Sequence, residues 1–315
     1  MQDFKGLVTS LREPHNRFLD WIEGVRPDLF RYCRSLTSSV WDAEDLVQDT
    51  LLAAFAKLPL IFQEIRDPRA YLFRMATRLW IDHQRREGWV ERLEEDPMEN
   101  PEDSGTEIRE AAATLFRHLP PRERASLLLK EVFGFSLIET AEFLETTLGA
   151  VKAALHRARH HLQEAREGAA PPTGRPPPSE ALLDAYVDAF NRKDLGQLSE
   201  LLAEDVAAEV VGIVQEYGRQ AVLKGSLEHT VPDPDLLRTE WRTFHGERVL
   251  LLWNRRPEGE RVGDVERLEE REGLCTRIRH YYYSPEVIQE VAGGLGLPFV
   301  TQGYRHGCRV DREEK

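Results

Sequence analysis

Apolar positions in the first ninety residues recur at helical spacing. Val47, Leu51, Phe55 and Leu58 fall on one helix face and are expected to meet a core, which leaves Asp45, Gln48, Asp49 and Leu52 on another. Asp67-Pro68 signals the start of a second helix running to Arg86. Its core side is Leu72, Met75, Ala76 and Leu79. Arg74, Arg78 and Arg85 form a basic stripe elsewhere, interleaved with Tyr71, Phe73 and Trp80.

Residues 119–162 carry a tighter pattern. Leu119-Pro-Pro-Arg-Glu-Arg124 opens a helix through Leu127, Leu128 and Val132, closed by Gly134. Ser136-Leu-Ile-Glu139 has the form of a capping box and launches a short helix with Ala141 and Leu144 inward. After a turn at Glu145-Thr-Thr147, a last helix points Val151, Leu155, Ala158 and Leu162 inward and Lys152, His156, Arg157, Arg159 and His160 outward. A cap, a turn and a basic outer face in this order predict a helix-turn-helix whose second helix enters a DNA major groove.

The final third mixes periods. Ser179 caps a helix through Leu182, Tyr186 and Phe190, a second runs from Leu195 to Leu202, and Asp205–Gly212 reads as a strand. Alternation at Leu237–Phe244, a turn at His245-Gly246 and the apolar run Val249–Trp253 predict further strands. Glu272-Gly273 turns into an alternating run from Leu274 to Tyr283, and Ser284-Pro285 starts a helix that stops at Gly293-Gly294. The expected organisation is a helical module at 1–90, an acidic linker at 91–110, a second helical module at 111–167, a Pro-rich linker at 168–178 and an α+β domain at 179–315.

Charge changes the picture by its distribution. The formal net charge of −13 argues against a nucleic-acid partner. Yet residues 91–110 alone hold nine acids against Arg92 and Arg109, so much of the excess sits in a connector, and local fields decide where phosphates bind. The aromatic residues among the arginines of the second helix suit stacking on single-stranded bases, or they simply pack; periodicity leaves both open. Likewise the acidic face at Asp45–Leu52 is either a docking face or a solvated one. Cys33, Cys275 and Cys308 have no metal-ligand spacing and read as reduced thiols. No apolar run approaches the roughly 20 residues of a membrane span. With no signal-peptide pattern after Met1, a cytoplasmic protein without membrane contact is expected.

Taken in order, these motifs resemble a bacterial RNA polymerase sigma factor of the extracytoplasmic-function group, which keeps only sigma regions 2 and 4. Asp42-Ala-Glu-Asp-Leu-Val-Gln-Asp49 resembles the region 2 helix that docks on the polymerase β′ clamp helices, which implies core binding through Asp45, Gln48, Asp49 and Leu52. The segment Tyr71–Arg86 resembles the part that melts and reads the −10 element, implying DNA contacts from Tyr71, Phe73, Arg74, Arg78, Trp80, Arg85 and Arg86. Residues Leu119–Leu162 resemble region 4, which meets the β flap and reads the −35 element; Thr147, Lys152, His156, Arg157 and Arg159 are the implied contacts. At Arg78 the family usually has asparagine, and Ala150, Ala153 and Ala154 stand where many members have Thr, Ser and Arg. Such proteins use no cofactor and are not enzymes.

The C-terminal block resembles the SnoaL-like cone fold shared with nuclear transport factor 2, although Val211-Gly-Ile-Val-Gln-Glu-Tyr-Gly218 replaces the Asp-Gly-Gly-Gly motif of one sigma-fused group. The expected fold class is thus two all-α modules followed by an α+β cone that modulates activity in cis. Its pocket is a candidate small-molecule site, with His229, His245, His280 and Tyr281–Tyr283 as the polar groups. The apolar tail Leu297–Tyr304 is expected to dock on the sigma half. A different reading makes the C-terminal domain a DNA-tethered cyclase or isomerase.

Overall fold

The computed structural model describes residues 22–37, 39–61, 65, 67–86, 119–164 and 177–304. Both linkers fall outside these residues, apart from Pro177 and Pro178, and so does Cys308. The chain divides into two compact units, Met1–Pro172 and Thr173–Lys315.

In the N-terminal unit, α1 spans residues 22–37, α2 Val40–Ile61 and α3 Pro68–Arg86. Hydroxyl and carboxylate caps set the starts. Ser39 Oγ accepts from Asp42 N at 3.3 Å, and Asp67 Oδ1 accepts from Ala70 N at 3.1 Å with Pro68 in the first turn. Val47, Leu51, Leu72, Met75 and Ala76 are buried as the spacing predicts, while Phe55 turns out 40% exposed.

Helix α4 covers Pro121–Leu127 and continues as a wider π-turn, Leu128–Val132, which rotates Val132 out to solvent. Gly134, at φ 74°, supplies the left-handed residue that ends it. Helix α5, Leu137–Phe143, starts in a complete capping box: Ser136 Oγ accepts from Glu139 N at 3.2 Å, and Ser136 N donates to Glu139 Oε2 at 2.7 Å. These hydrogen bonds hold the Glu139 carboxyl below its ordinary pKa of 4.5, so its contribution is present above that pH and fades on acidification. Ser136→Ala is expected to cost about 1 kcal/mol, measurable by urea unfolding. Helix α6, Leu148–Glu164, is capped by Thr147, whose Oγ1 accepts from Ala150 N at 3.1 Å, and it buries Val151, Leu155, Ala158 and Leu162.

The C-terminal unit is a curved six-stranded sheet packed against helices. Helices α7, Glu180–Asn191, and α8, Leu195–Leu201, precede the strands β1, Leu202–Val210, and β2, Val214–Tyr217. A helical stretch over Arg219–Thr230 leads to β3, Leu236–Phe244, β4, Glu247–Arg256, β5, Gly259–Arg271, and β6, Leu274–His280; α9, Pro285–Gly294, follows. The sheet order is β2-β1-β6-β5-β4-β3, with β1 and β6 parallel and the other neighbours antiparallel. Two hairpins turn on residue pairs with positive φ, His245-Gly246 and Glu272-Gly273, as type I′ geometry requires. Leu182, Leu183, Tyr186 and Phe190 of α7 pack onto Leu250, Leu252, Leu268 and Ile278 of the sheet.

Several element bounds differ from those that spacing predicts. Strand β1 begins at Leu202 rather than Asp205, and β6 ends at His280 rather than Tyr283. After His280 the chain turns, with Tyr281 N bonded to Val265 O and Ser284 N to Tyr281 O. Strands β2 and β5 and the helical stretch between β2 and β3 carry no predicted counterpart. The tail at 297–304 pairs with its own unit: Val262 N donates to Pro298 O, Val300 N donates to Val262 O, and Tyr304 Oη donates to Glu286.

Candidate functional site

Helix α2 separates its faces sharply. Glu44 is buried in an ion pair with Arg26 and accepts a hydrogen bond from Gln48 Nε2 at 2.7 Å. Gln48 is therefore partly committed to the interior, and Asp45 is half-buried. Asp49 and Leu52 stand out, Leu52 at 66% exposure. An apolar side chain and a carboxylate thus stand side by side on the face turned away from the core.

Helix α3 divides the DNA-binding candidates. Arg74, Arg78, Arg85 and Arg86 are exposed and Tyr71 is half-buried. Phe73 and Trp80 are not available to bases, because Phe73 is 0% exposed and Trp80 2%. That departs from the DNA contacts the resemblance implies for Phe73 and Trp80, and the reason is packing. Phe73 stacks on Tyr32 at 4.7 Å between ring centroids and meets Phe133 edge-on at 5.2 Å and Phe135 at 5.4 Å. The cluster continues from Phe135 to Phe143. Thr77 Oγ1 donates to Phe73 O, so the Tyr32 hydroxyl, 2.6 Å away, donates to Thr77.

The helix-turn-helix thus packs on the first module through the same residues. Arg69 lies over both Phe73 and Phe135 and donates to Phe133 O at 3.3 Å. Arg124 covers the Trp80 ring at 5.4 Å while Nη1 donates to Leu36 O at 2.6 Å. Arg78 pairs with Glu145 at 3.0 Å.

On α6, Lys152 and His156 are exposed, as is the capping Thr147. Arg157 Nε donates to Glu123 at 2.9 Å and Arg159 Nη2 to Glu131 at 3.0 Å, and His161 also contacts Glu123. These two arginines therefore brace α6 against α4 and the following turn. Sequence spacing gave their direction but not their acidic partners.

In the C-terminal unit, His229 and His245 are exposed, whereas His280 and Tyr281 face the interior. His280 Nδ1 lies 2.9 Å from Glu266 Oε1 and 3.4 Å from Asp264 Oδ2, and all three residues are buried. Burial would lower the His280 pKa, but the Glu266 charge, with that of Asp264 beside it, outweighs the burial and pushes it up to about 10. Burial pushes Asp264 up to about 6. Sequence reasoning found the histidine and missed both acids. They sit two residues apart in Val262-Gly-Asp-Val-Glu266, where alternation was the available signal.

Among the described residues, no helix is long and apolar enough to cross a membrane. The chain matches the family model for sigma-70 region 2 over residues 21–90 and that for sigma-70 region 4 over residues 109–162. It is 32% identical over 253 residues to the ECF RNA polymerase sigma factor SigG of Mycobacterium tuberculosis, with 68% of each chain covered. That share is larger than the N-terminal unit alone provides. Among solved structures, it is similar to the sigma factor RpoE of Bartonella quintana, crystallised with the anti-sigma factor NepR: 28% identity and a TM-score of 0.38, covering 48% of this chain and 97% of that one. An NTF-2-like protein of unknown function from Burkholderia xenovorans is also similar, at 15% identity and a TM-score of 0.26, covering 32% of this chain and 78% of that one. The chain belongs to the extracytoplasmic-function (ECF) RNA polymerase sigma factors.

Proposed function

We propose that this sigma factor docks on the β′ clamp helices of core polymerase through Asp45, Gln48, Asp49 and Leu52 of α2, and on the β flap through its region 4 module. It reads the −10 element with Arg74, Arg78, Arg85 and Arg86, where Tyr71 is the aromatic residue left partly open for stacking. It reads the −35 element with Thr147, Lys152 and His156 at the outer face of α6, and Arg157 and Arg159 act there mainly as braces. The C-terminal unit modulates this activity in cis and performs no chemistry of its own. The observation that carries the reading is Leu52, two-thirds exposed beside Asp49 on a helix whose other face is packed.

Engaging Arg78 with DNA breaks its pair with Glu145. Both side chains are more than half exposed, so this costs less than about 1 kcal/mol. Lys152→Ala is expected to weaken promoter binding and lower its salt slope by about 1, the signature of one lost phosphate contact, at unchanged stability. Arg157→Ala differs, because it removes a partner from the buried carboxylate of Glu123 and lowers the stability of the module as well. Filter binding across a salt series, with thermal melts of each variant, separates the two.

Run-off transcription with core polymerase tests the reading as a whole, comparing the full chain with a truncation ending at residue 168. Promoter-dependent transcript from either form supports it, and the ratio between them measures control by the C-terminal unit. Absence of both transcript and core binding in the two forms would reject it.

A further inference from the structure

Inside the C-terminal unit, Glu266 on β5 and His280 on β6 are direct cross-strand partners, and Asp264 precedes Glu266 by two positions on the same sheet face. Leu250, opposite Glu266, belongs to the core beneath α7, which places the three polar residues on the covered side of the sheet. We propose that Asp264, Glu266 and His280 form a binding site for one divalent first-row transition-metal ion, held by His280 Nδ1 and one oxygen from each carboxylate.

Geometry supports this first. Nitrogen and oxygen ligands about 2.1 Å from such an ion stand about 3.0 Å apart in an octahedral shell and about 3.4 Å apart in a tetrahedral one. Nδ1 lies 2.9 Å from Glu266 Oε1 and 3.4 Å from Asp264 Oδ2, and the three ligand atoms all lie within 4.8 Å of one another. The positions come from two adjacent hydrogen-bonded strands, so the site is assembled by the sheet rather than by loops.

Satisfaction supports it second. Asp264 Oδ1 accepts from Val265 N at 2.7 Å, which orients that carboxylate as an outer-shell bond orients a ligand. Both Glu266 oxygens are buried and meet no hydrogen-bond partner among the described residues, so the approach of Oε1 to His280 Nδ1 is a close charge contact that leaves the carboxylate's lone pairs open to an ion. Two buried carboxylates facing one imidazole leave a negative excess that a dication neutralises. One imidazole with two carboxylates suits Mn2+, Fe2+, Co2+ or Zn2+ better than Ca2+ or Mg2+, which take oxygen ligands. On binding, Nδ1 gives up its proton to solvent and coordinates through the freed lone pair. Nothing in the sigma reading requires this site.

The test uses the full chain, freed of metal by chelator and titrated with Co2+, whose visible ligand-field bands report nitrogen and oxygen coordination. The expected result is a band that saturates at a single Co2+ per chain, is displaced by Zn2+, and is weakened at least about tenfold by the near-isosteric Glu266→Gln. Absence of saturable Co2+ binding in the parent chain would overturn the proposal without recourse to any variant. Binding of equal strength in folded Glu266→Gln and Asp264→Asn proteins would overturn it too.

Discussion

Phe73→Ala is expected to destabilise the N-terminal unit by about 3–5 kcal/mol, the range for deleting a buried phenyl ring. The ring is 0% exposed and touches three others, one on its own module and two on the helix-turn-helix side. Removing it opens a cavity between the two modules. Urea unfolding of the full chain, followed by tryptophan fluorescence, gives the number. A loss below about 1 kcal/mol would mean that the aromatic cluster does not hold the modules together. If instead stability were preserved while binding to single-stranded −10 DNA fell, Phe73 would be a base-stacking residue after all. Trp80, whose face is covered by Arg124, is expected to behave in the same way.

His280→Gln is expected to cost the C-terminal unit about 3–5 kcal/mol, because it leaves Asp264 and Glu266 buried without their cation. The pH dependence of the parent chain, measured in chelator, carries the same information. His280 has a folded pKa raised from 6.5 to about 10, so its stabilisation is complete below pH 6.5 and is lost as pH rises through about 10. Asp264, raised from 3.8 to about 6, favours the folded state in its protonated form, so its contribution is likewise lost as pH rises from 3.8 towards 6. Both signs agree: the C-terminal unit should weaken with alkalinity. A melting temperature that rose between pH 7 and pH 10, or one that His280→Gln left unchanged, would contradict the buried imidazolium.

Much of the helical half was legible because its signals are local. A capping box spans four residues, and Ser136 and Glu139 close it as their types require. Asp67-Pro68, Thr147, Ser179 and Gly134 mark ends by hydrogen bonds or backbone angles that involve only near neighbours. The sheet was less legible. Strand β5 has no apolar signature in the sequence, because Glu260, Asp264, Glu266, Glu269 and Glu270 make it read as a solvated run. Two of those acids point inward, stabilised by a histidine on the next strand, and nothing local reveals that. Strand β2 is only four residues long and lies at the sheet edge, below the length at which alternation is informative.

The site residues divide along the same line. Sequence periodicity by itself determined that Asp49 and Leu52 of α2, Arg74, Arg78 and Arg85 of α3, and Lys152 and His156 of α6 face outward, since a helix of 3.6 residues per turn leaves little choice for positions opposite its apolar stripe. It also determined the order of motifs by which the chain is recognised as a sigma factor. Only the tertiary structure decided that Phe73 and Trp80 belong to the interior, because the rings that bury Phe73 (Tyr32, Phe133 and Phe135) and the Arg124 guanidinium that covers Trp80 come from residues remote in the chain on both sides. The same holds for Arg157 and Arg159, turned from phosphate ligands into braces by Glu123 and Glu131, and for the Asp264–Glu266–His280 cluster. Periodicity ranks residues by the face they occupy; which partner stands opposite that face is set by packing between segments remote in the chain.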